Sequence, residues 1–139
     1  GILSPHTKLD FISPDDIGTV AGACLVEHRF RNADGSHKVL YLCGPELIDQ
    51  YSAYAILSRV LGREIKVKEI DSAALYEKWS HMPKEILDAF VSNFTRSNAG
   101  HDTYPKKLYD EAVENIRRYA EREPTKFEEW VKANKDAFL

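Results

Sequence analysis

Apolar positions recur at helical spacing along most of the chain, and the spacing predicts six helical stretches. The first opens at Ser13-Pro14-Asp15-Asp16, with a hydroxyl to cap it, a proline for its first turn and two carboxylates at the positive end of the dipole. Behind it, Ile17, Val20, Ala21, Cys24, Leu25 and His28 form one stripe. Gly18 and Gly22 flank that stripe, and each costs a helix about 1 kcal/mol against Ala, so close packing on another backbone is expected there. Leu47, Tyr51, Tyr54, Leu57 and Leu61 define a second helix closed by Gly62. Asp71 or Ser72 begins a short third helix that runs through Trp79. Ile86, Leu87, Phe90, Val91 and Phe94 follow Met82-Pro83 as a fourth. Leu108, Ala112, Val113, Ile116, Tyr119 and Ala120 line a fifth, opened by Pro105. The last buries Phe127, Trp130, Val131 and Phe138 behind a capping box from Thr125 to Glu128.

Two short runs read as strands. Ile65, Val67 and Ile70 alternate with Lys66 and Lys68, the pattern of a half-exposed strand. Val39, Leu40, Tyr41, Leu42 and Cys43 show no alternation, and such strands are usually covered on both faces within a parallel sheet. A two-stranded pair is marginal in water. Residues 39–43 are therefore expected to belong to a parallel sheet whose other strands lie upstream of Gly1 or in a second chain. Gly1 is not Met, which fits a chain that begins in mid-protein.

Composition narrows the class. The 139 residues suit one domain, and 43% hydrophobic with 29% charged residues excludes disorder throughout. A net charge of −3 favours neither nucleic acid nor an anionic membrane as partner. Residues 103–139 carry 8 basic and 8 acidic side chains, a solvated surface and not a docking patch. No apolar run approaches the ~20 residues that span a bilayer. No secretory signal is visible, so the expectation is a cytoplasmic protein with Cys24 and Cys43 reduced and buried. His28, His37 and His81 have no metal-site spacing, and no metal is expected.

Four segments in order resemble NmrA-like proteins, an atypical branch of the short-chain dehydrogenase/reductase superfamily. They are Leu9-Asp10-Phe11-Ile12-Ser13-Pro14-Asp15-Asp16-Ile17-Gly18, Tyr41-Leu42-Cys43-Gly44-Pro45-Glu46, Ile56-Leu57-Ser58-Arg59-Val60-Leu61-Gly62-Arg63-Glu64-Ile65 and Arg122-Glu123-Pro124-Thr125-Lys126-Phe127-Glu128-Glu129-Trp130. The resemblance implies an α/β fold: the helix-rich C-terminal portion of a Rossmann-type protein, residues 1–139 forming one substrate-binding portion. One strand would join the parallel sheet, and a small, mostly helical lobe would cover the substrate. It also implies NADP(H) in a full-length relative. This chain has no G-x-G-x-x-G run to cradle a pyrophosphate, so no cofactor is expected on it alone. None of the 7 tyrosines is followed four residues on by Lys, the acid pair of the wider superfamily.

By the same resemblance, Phe90, Asn93, Phe94 and the loop to Tyr104 would face a small, aromatic or apolar substrate, with His6 near the pocket entrance. No catalytic residue is assigned. His101 and Asp102 are adjacent and would point apart on a regular element, and no nucleophile elbow appears. Asn93-Phe94-Thr95 matches a glycosylation sequon, idle without secretion. The expected function is the substrate lobe of an NAD(P)H-dependent oxidoreductase that is incomplete alone. The alternatives are an NmrA-type redox-sensing regulatory fragment that binds a protein, and a cofactor-free binder, isomerase or cyclase that dimerises through sheet edges.

Overall fold

The computed structural model describes residues 5–27, 31, 32, 34–36, 38–98 and 103–138. The expectations on His28, His37, His101 and Asp102 lie outside the described residues. The order of elements is β1 (Lys8–Leu9), α1 (Pro14–Glu27), β2 (Ile48–Asp49), α2 (Gln50–Leu61), α3 (Ser72–Lys78), α4 (Lys84–Asn98), α5 (Lys106–Ala120) and α6 (Phe127–Ala133), with a 3-10 turn at Lys135–Phe138. The chain divides into two compact units. The first holds Gly1–Leu9 and Ile48–Thr103, the second Asp10–Leu47 and Tyr104–Leu139.

In the first unit, β1 and β2 pair antiparallel, Lys8 opposite Asp49 and Leu9 opposite Ile48. Asp49 then caps α2, its carboxylate accepting from the Ser52 N–H at 2.9 Å. Gly62 ends α2 with φ 68°, and its N–H returns to the Ser58 carbonyl as expected. Asp71 caps α3, accepting from the Ala74 N–H. Ala53, Leu61, Leu75 and Leu87 are buried. Residues 65–70 form no strand: Ile65 and Val67 are half-buried while Lys66 and Lys68 are exposed, so the alternation is real, but only Glu69 makes a bridge.

In the second unit, α5 is the central element and buries Ala112, Val113, Asn115, Ile116 and Tyr119. Val20 and Cys24 of α1 pack with Ile116 and Tyr119, and Leu40 and Leu42 join that cluster. Cys43 packs with Ala112 and Val113. The expected parallel sheet is not seen among the described residues, where β1 and β2 form a two-stranded antiparallel one. Residues 39–43 lie against α1 and α5 without a ladder. Leu40, Leu42 and Cys43 turn inward, while Val39 is 72% and Tyr41 57% exposed. Side chains of α5 take the place of a neighbouring strand: Asn115 Nδ2 donates to the Tyr41 carbonyl at 3.1 Å, and Tyr109 donates to the Gly44 carbonyl at 3.0 Å.

α1 also departs from its expected stripe. Its inner edge is Asp16, Val20 and Cys24, whereas Ile17, Leu25 and Val26 are exposed. A Cβ added at Gly18 or Gly22 would meet nothing within 4 Å, so the expected close backbone packing is absent among the described residues.

One buried charge ties this unit together. Asp16 is 0% exposed. Its carboxylate accepts from the Thr125 N–H at 2.7 Å and the Thr125 hydroxyl at 3.1 Å, and it pairs with Arg122 at 2.8 Å. Thr125 is consumed by that bond, which corrects the expected capping box. The cap of α6 is Lys126, whose N–H is met by the Glu129 carboxylate. Truncating Asp16 strands two buried donors. Asp16→Ala is therefore expected to cost about 3 kcal/mol, a large share of a typical domain's stability, and Thr125→Ala about 1 kcal/mol. The shift of the urea midpoint measures both. Equal, small shifts would show the carboxylate to be a bystander.

Candidate functional site

In the second unit the chain at Asp10 to Ile12 crosses directly over Gly44. A Cβ on Gly44 would sit 1.9 Å from the Asp10 carbonyl oxygen, so glycine is required by close approach. The Asp10 carboxylate accepts from the Gly44 N–H at 3.1 Å and from the Tyr104 hydroxyl at 2.7 Å, and the Cys43 thiol bonds to it as well. Phe11, held at φ 34°, lays its ring 4.8 Å from that of Phe127, and the Phe127 N–H reaches Glu46 at 3.3 Å. Tyr104 packs beside Tyr109, their centroids 6.1 Å apart. Burial, then the bond to Asp10, drives the Tyr104 phenol far above its ordinary range. Burial, then the Asp10 charge, pushes the Cys43 thiol up to about 11. These groups stay protonated at neutral pH. They form a structural clamp with no proton poised for transfer.

In the first unit α4 is apolar on two sides. Leu87 is buried and Val91 and Phe94 are half-buried on its inner side. Ile86 is 43% and Phe90 41% exposed on the other, with Ala89 and Asn93 exposed beside them. Trp79, half-buried just after α3, stands nearly perpendicular to Phe90, with centroids 6.1 Å apart and planes at 76°. Below this pair, the Tyr76 hydroxyl donates to Asp88, which Lys84 grips at 2.7 and 3.0 Å. Lys84 and then Tyr76 hold the Asp88 carboxyl below its usual value, and the bond to Asp88 raises the Tyr76 phenol. The pin fixes α3 against α4.

The expected site residues thus fall in different places. Phe90 and Asn93 share the open side of α4, and Phe94 sits at its margin. His6 is exposed in the same unit, its ring 5.8 Å from that of Tyr51, whose hydroxyl donates to Glu69. Tyr104 belongs to the second unit, and its hydroxyl is engaged by Asp10. Sequence reasoning missed Trp79 as a partner of Phe90 and placed Ile86 in one stripe with Leu87 and Val91. The signal was there: Ile86, Ala89, Phe90 and Asn93 repeat at i, i+3, i+4 and i+7, a second stripe beside the first.

Three helix starts are closed to a pyrophosphate. α1 carries Asp15 and Asp16 in its first turn, and the first N–H groups of α2 and α3 are taken by Asp49 and Asp71. Carboxylates stand where a pyrophosphate needs bare N–H groups. Among the described residues no three His, Cys, Asp or Glu side chains gather as a metal site would require. No described helix is long and apolar enough to cross a membrane.

No family model matches the chain. The nitrogen metabolite regulation-like protein bik4 of Gibberella fujikuroi is 29% identical over 141 residues, covering 94% of this chain and 42% of that protein. Festuclavine dehydrogenase easG of Aspergillus fumigatus is 29% identical over 129 residues, covering 86% of this chain and 42% of its own. Festuclavine synthase I of Penicillium roqueforti is 40% identical over 67 residues, covering 48% of this chain and 21% of its own. The chain is similar to NmrA-like and dehydrogenase-named proteins. It spans 42% of the length of bik4.

Two outcomes follow from the clamp. Gly44→Ala forces the Asp10 backbone aside and should cost at least about 2 kcal/mol, by analogy with overpacking a close-packed core. An unchanged urea midpoint would refute the crossing. The raised Cys43 value also dictates a pH response. Below pH 9.0 the thiol is neutral folded and unfolded, and its contribution is full. As pH climbs from 9.0 toward 11, the unfolded thiol ionises first and stability drains away. Cys43→Ala should flatten that decline in pH-dependent urea titrations, and an identical slope in the variant would remove Cys43 as its cause.

Proposed function

We propose that this chain is the C-terminal, substrate-binding portion of an NmrA-like NAD(P)H-dependent oxidoreductase. In this reading it recognises a small aromatic or apolar molecule, while a separate dinucleotide-binding half supplies the hydride. The single observation that carries it is the open side of α4, where Ile86, Ala89 and Phe90 are exposed in a row that ends at Asn93. An apolar surface with one polar group fixing orientation is the usual composition of a small-molecule site. Phe90 and Asn93 would form the wall and Phe94 its edge, with His6 of the same unit nearer the entrance. Residues 39–43 support the need for a second half. They expose Val39 and Tyr41 on the side away from α1 and α5, as a strand without its sheet would. The names of the festuclavine dehydrogenase and synthases support the oxidoreductase class.

A regulatory reading stands second. It is favoured by the name of the bik4 relative and by the outer half of α1, where Ile17, Leu25 and Val26 are apolar side chains open to a protein.

The test combines this chain with the part of the bik4 protein outside the matched stretch and follows NADPH oxidation with an aromatic aldehyde. The chain alone is expected to bind no NADPH, and the combination to turn it over. Phe90→Ala and Asn93→Ala are expected to raise KM about tenfold, the equivalent of 1.4 kcal/mol, with kcat less affected. Reduction by the chain alone, or an unchanged KM in both variants, would overturn the proposal. Dinucleotide binding without turnover, abolished protein capture on Leu25→Lys included, would favour the regulator.

A further inference from the structure

We infer that Trp79 is a positioning residue for the ligand of α4, and that this ligand is a planar ring bearing one hydrogen-bonding atom. The inference rests on the reading of the open side of α4 as a binding wall and adds to it a residue outside that helix. Phe90 projects from an exposed helix face, and the ring that meets its own is the Trp79 indole, nearly perpendicular at 6.1 Å. Edge-to-face pairs of this kind contribute beyond the area they bury, and they fix the tilt of the more exposed ring. Trp79 is itself held on both sides. Its backbone N–H bonds to the Leu75 carbonyl at 3.0 Å, its backbone carbonyl accepts from the Met82 N–H at 2.8 Å, and Leu75 is buried, so the main chain at Trp79 is fixed. Tyr76, three residues earlier on α3, bonds to Asp88 of α4, which also pairs with Lys84, and so links the segment before Trp79 to α4. Phe90, 41% exposed, keeps part of its surface open to solvent beside that contact. Asn93 follows one turn later on the same side, exposed, with an amide that can both donate and accept. A flat ring laid on Phe90 would bring one polar substituent to that amide. An aliphatic chain would gain nothing from the fixed tilt.

The two tryptophans lie in different units, so each reports on its own surroundings. The experiment titrates the chain with 2-naphthol, with decalin-2-ol as the non-planar control, and follows amide and indole NMR signals. The amides of Ile86, Phe90 and Asn93 and the Trp79 indole are expected to shift together and saturate with 2-naphthol, while the Trp130 indole stays still. Trp79→Ala should weaken the affinity about tenfold, equivalent to 1.4 kcal/mol, and Trp79→Phe should restore most of it, since an aromatic edge remains. Should Trp79→Ala lose its folded spectrum, Trp79→Leu, which keeps much of the volume but no ring, is read in its place. Saturable shifts at α4 that are indifferent to Trp79, or equal affinity for the two probes, would overturn this inference and leave the proposed function standing. Absence of any shift at Phe90 and Asn93 would overturn both.

Discussion

The second unit depends on a carboxylate with no access to water. Desolvating Asp16 costs several kcal/mol, and such a charge persists only where hydrogen bonds replace those of the solvent. Thr125 supplies two and Arg122 the counter-charge, and all come from the far end of the sequence. Since Asp16 sits in the first turn of α1, the helix start and the segment before α6 become one object. Pro124 between the two partners is buried, which keeps the connection short and stiff. Once this closure is made, α1 and α5 can bury Val20, Cys24, Ile116 and Tyr119 between them.

The closure explains why the segments resembling the NmrA-like family stand out in the sequence. Three of the four meet in this unit. Asp16 comes from the first, Gly44 and Glu46 from the second, Arg122, Thr125 and Phe127 from the fourth. Their spacing records a folding constraint: a buried charge, a glycine under a crossing backbone and a helix start whose N–H needs an acceptor. The residues proposed as a ligand wall carry no such mark. Phe90 and Asn93 look in sequence like any helix position, because a ligand wall is made of ordinary apolar and amide side chains.

Helices were legible because capping chemistry and spacing are local. Asp71 and Gly62 act within three or four residues, and that start and stop can be read directly, whereas Leu47, expected inside the second helix, precedes it, α2 starting at Gln50 behind β2 and the Asp49 cap. The strand run was harder. Five consecutive apolar residues describe a segment wanted on two faces, and the pattern cannot say whether a sheet or a helix provides them. Here α1 and α5 cover Leu40, Leu42 and Cys43, and the Asn115 amide and Tyr109 hydroxyl take backbone carbonyls that a ladder would have used. The capping box shifted by one residue for a similar reason. Thr125 has the right chemistry for a cap, but a bond from a distant carboxylate outcompetes a local one when it also neutralises a buried charge.

A helix with apolar residues on two sides is a conflict in a self-sufficient domain, since only one side can face its own core. α1 and α4 both show it, α1 through Ile17, Leu25 and Val26, α4 through Ile86 and Phe90. The two cases differ in what surrounds the excess. Around α1 the exposed strip has glycines and no polar group at its centre, and a Cβ at Gly18 or Gly22 would meet nothing. Such a surface suits the flat approach of another polypeptide. Around α4 the strip is broken by Asn93 and backed by an indole held from behind. A large flat partner would have to desolvate the amide without a guaranteed bond, whereas a small molecule can carry the matching atom to it. The same excess of apolar surface therefore argues for two kinds of occupant, and the polar interruption is what separates them.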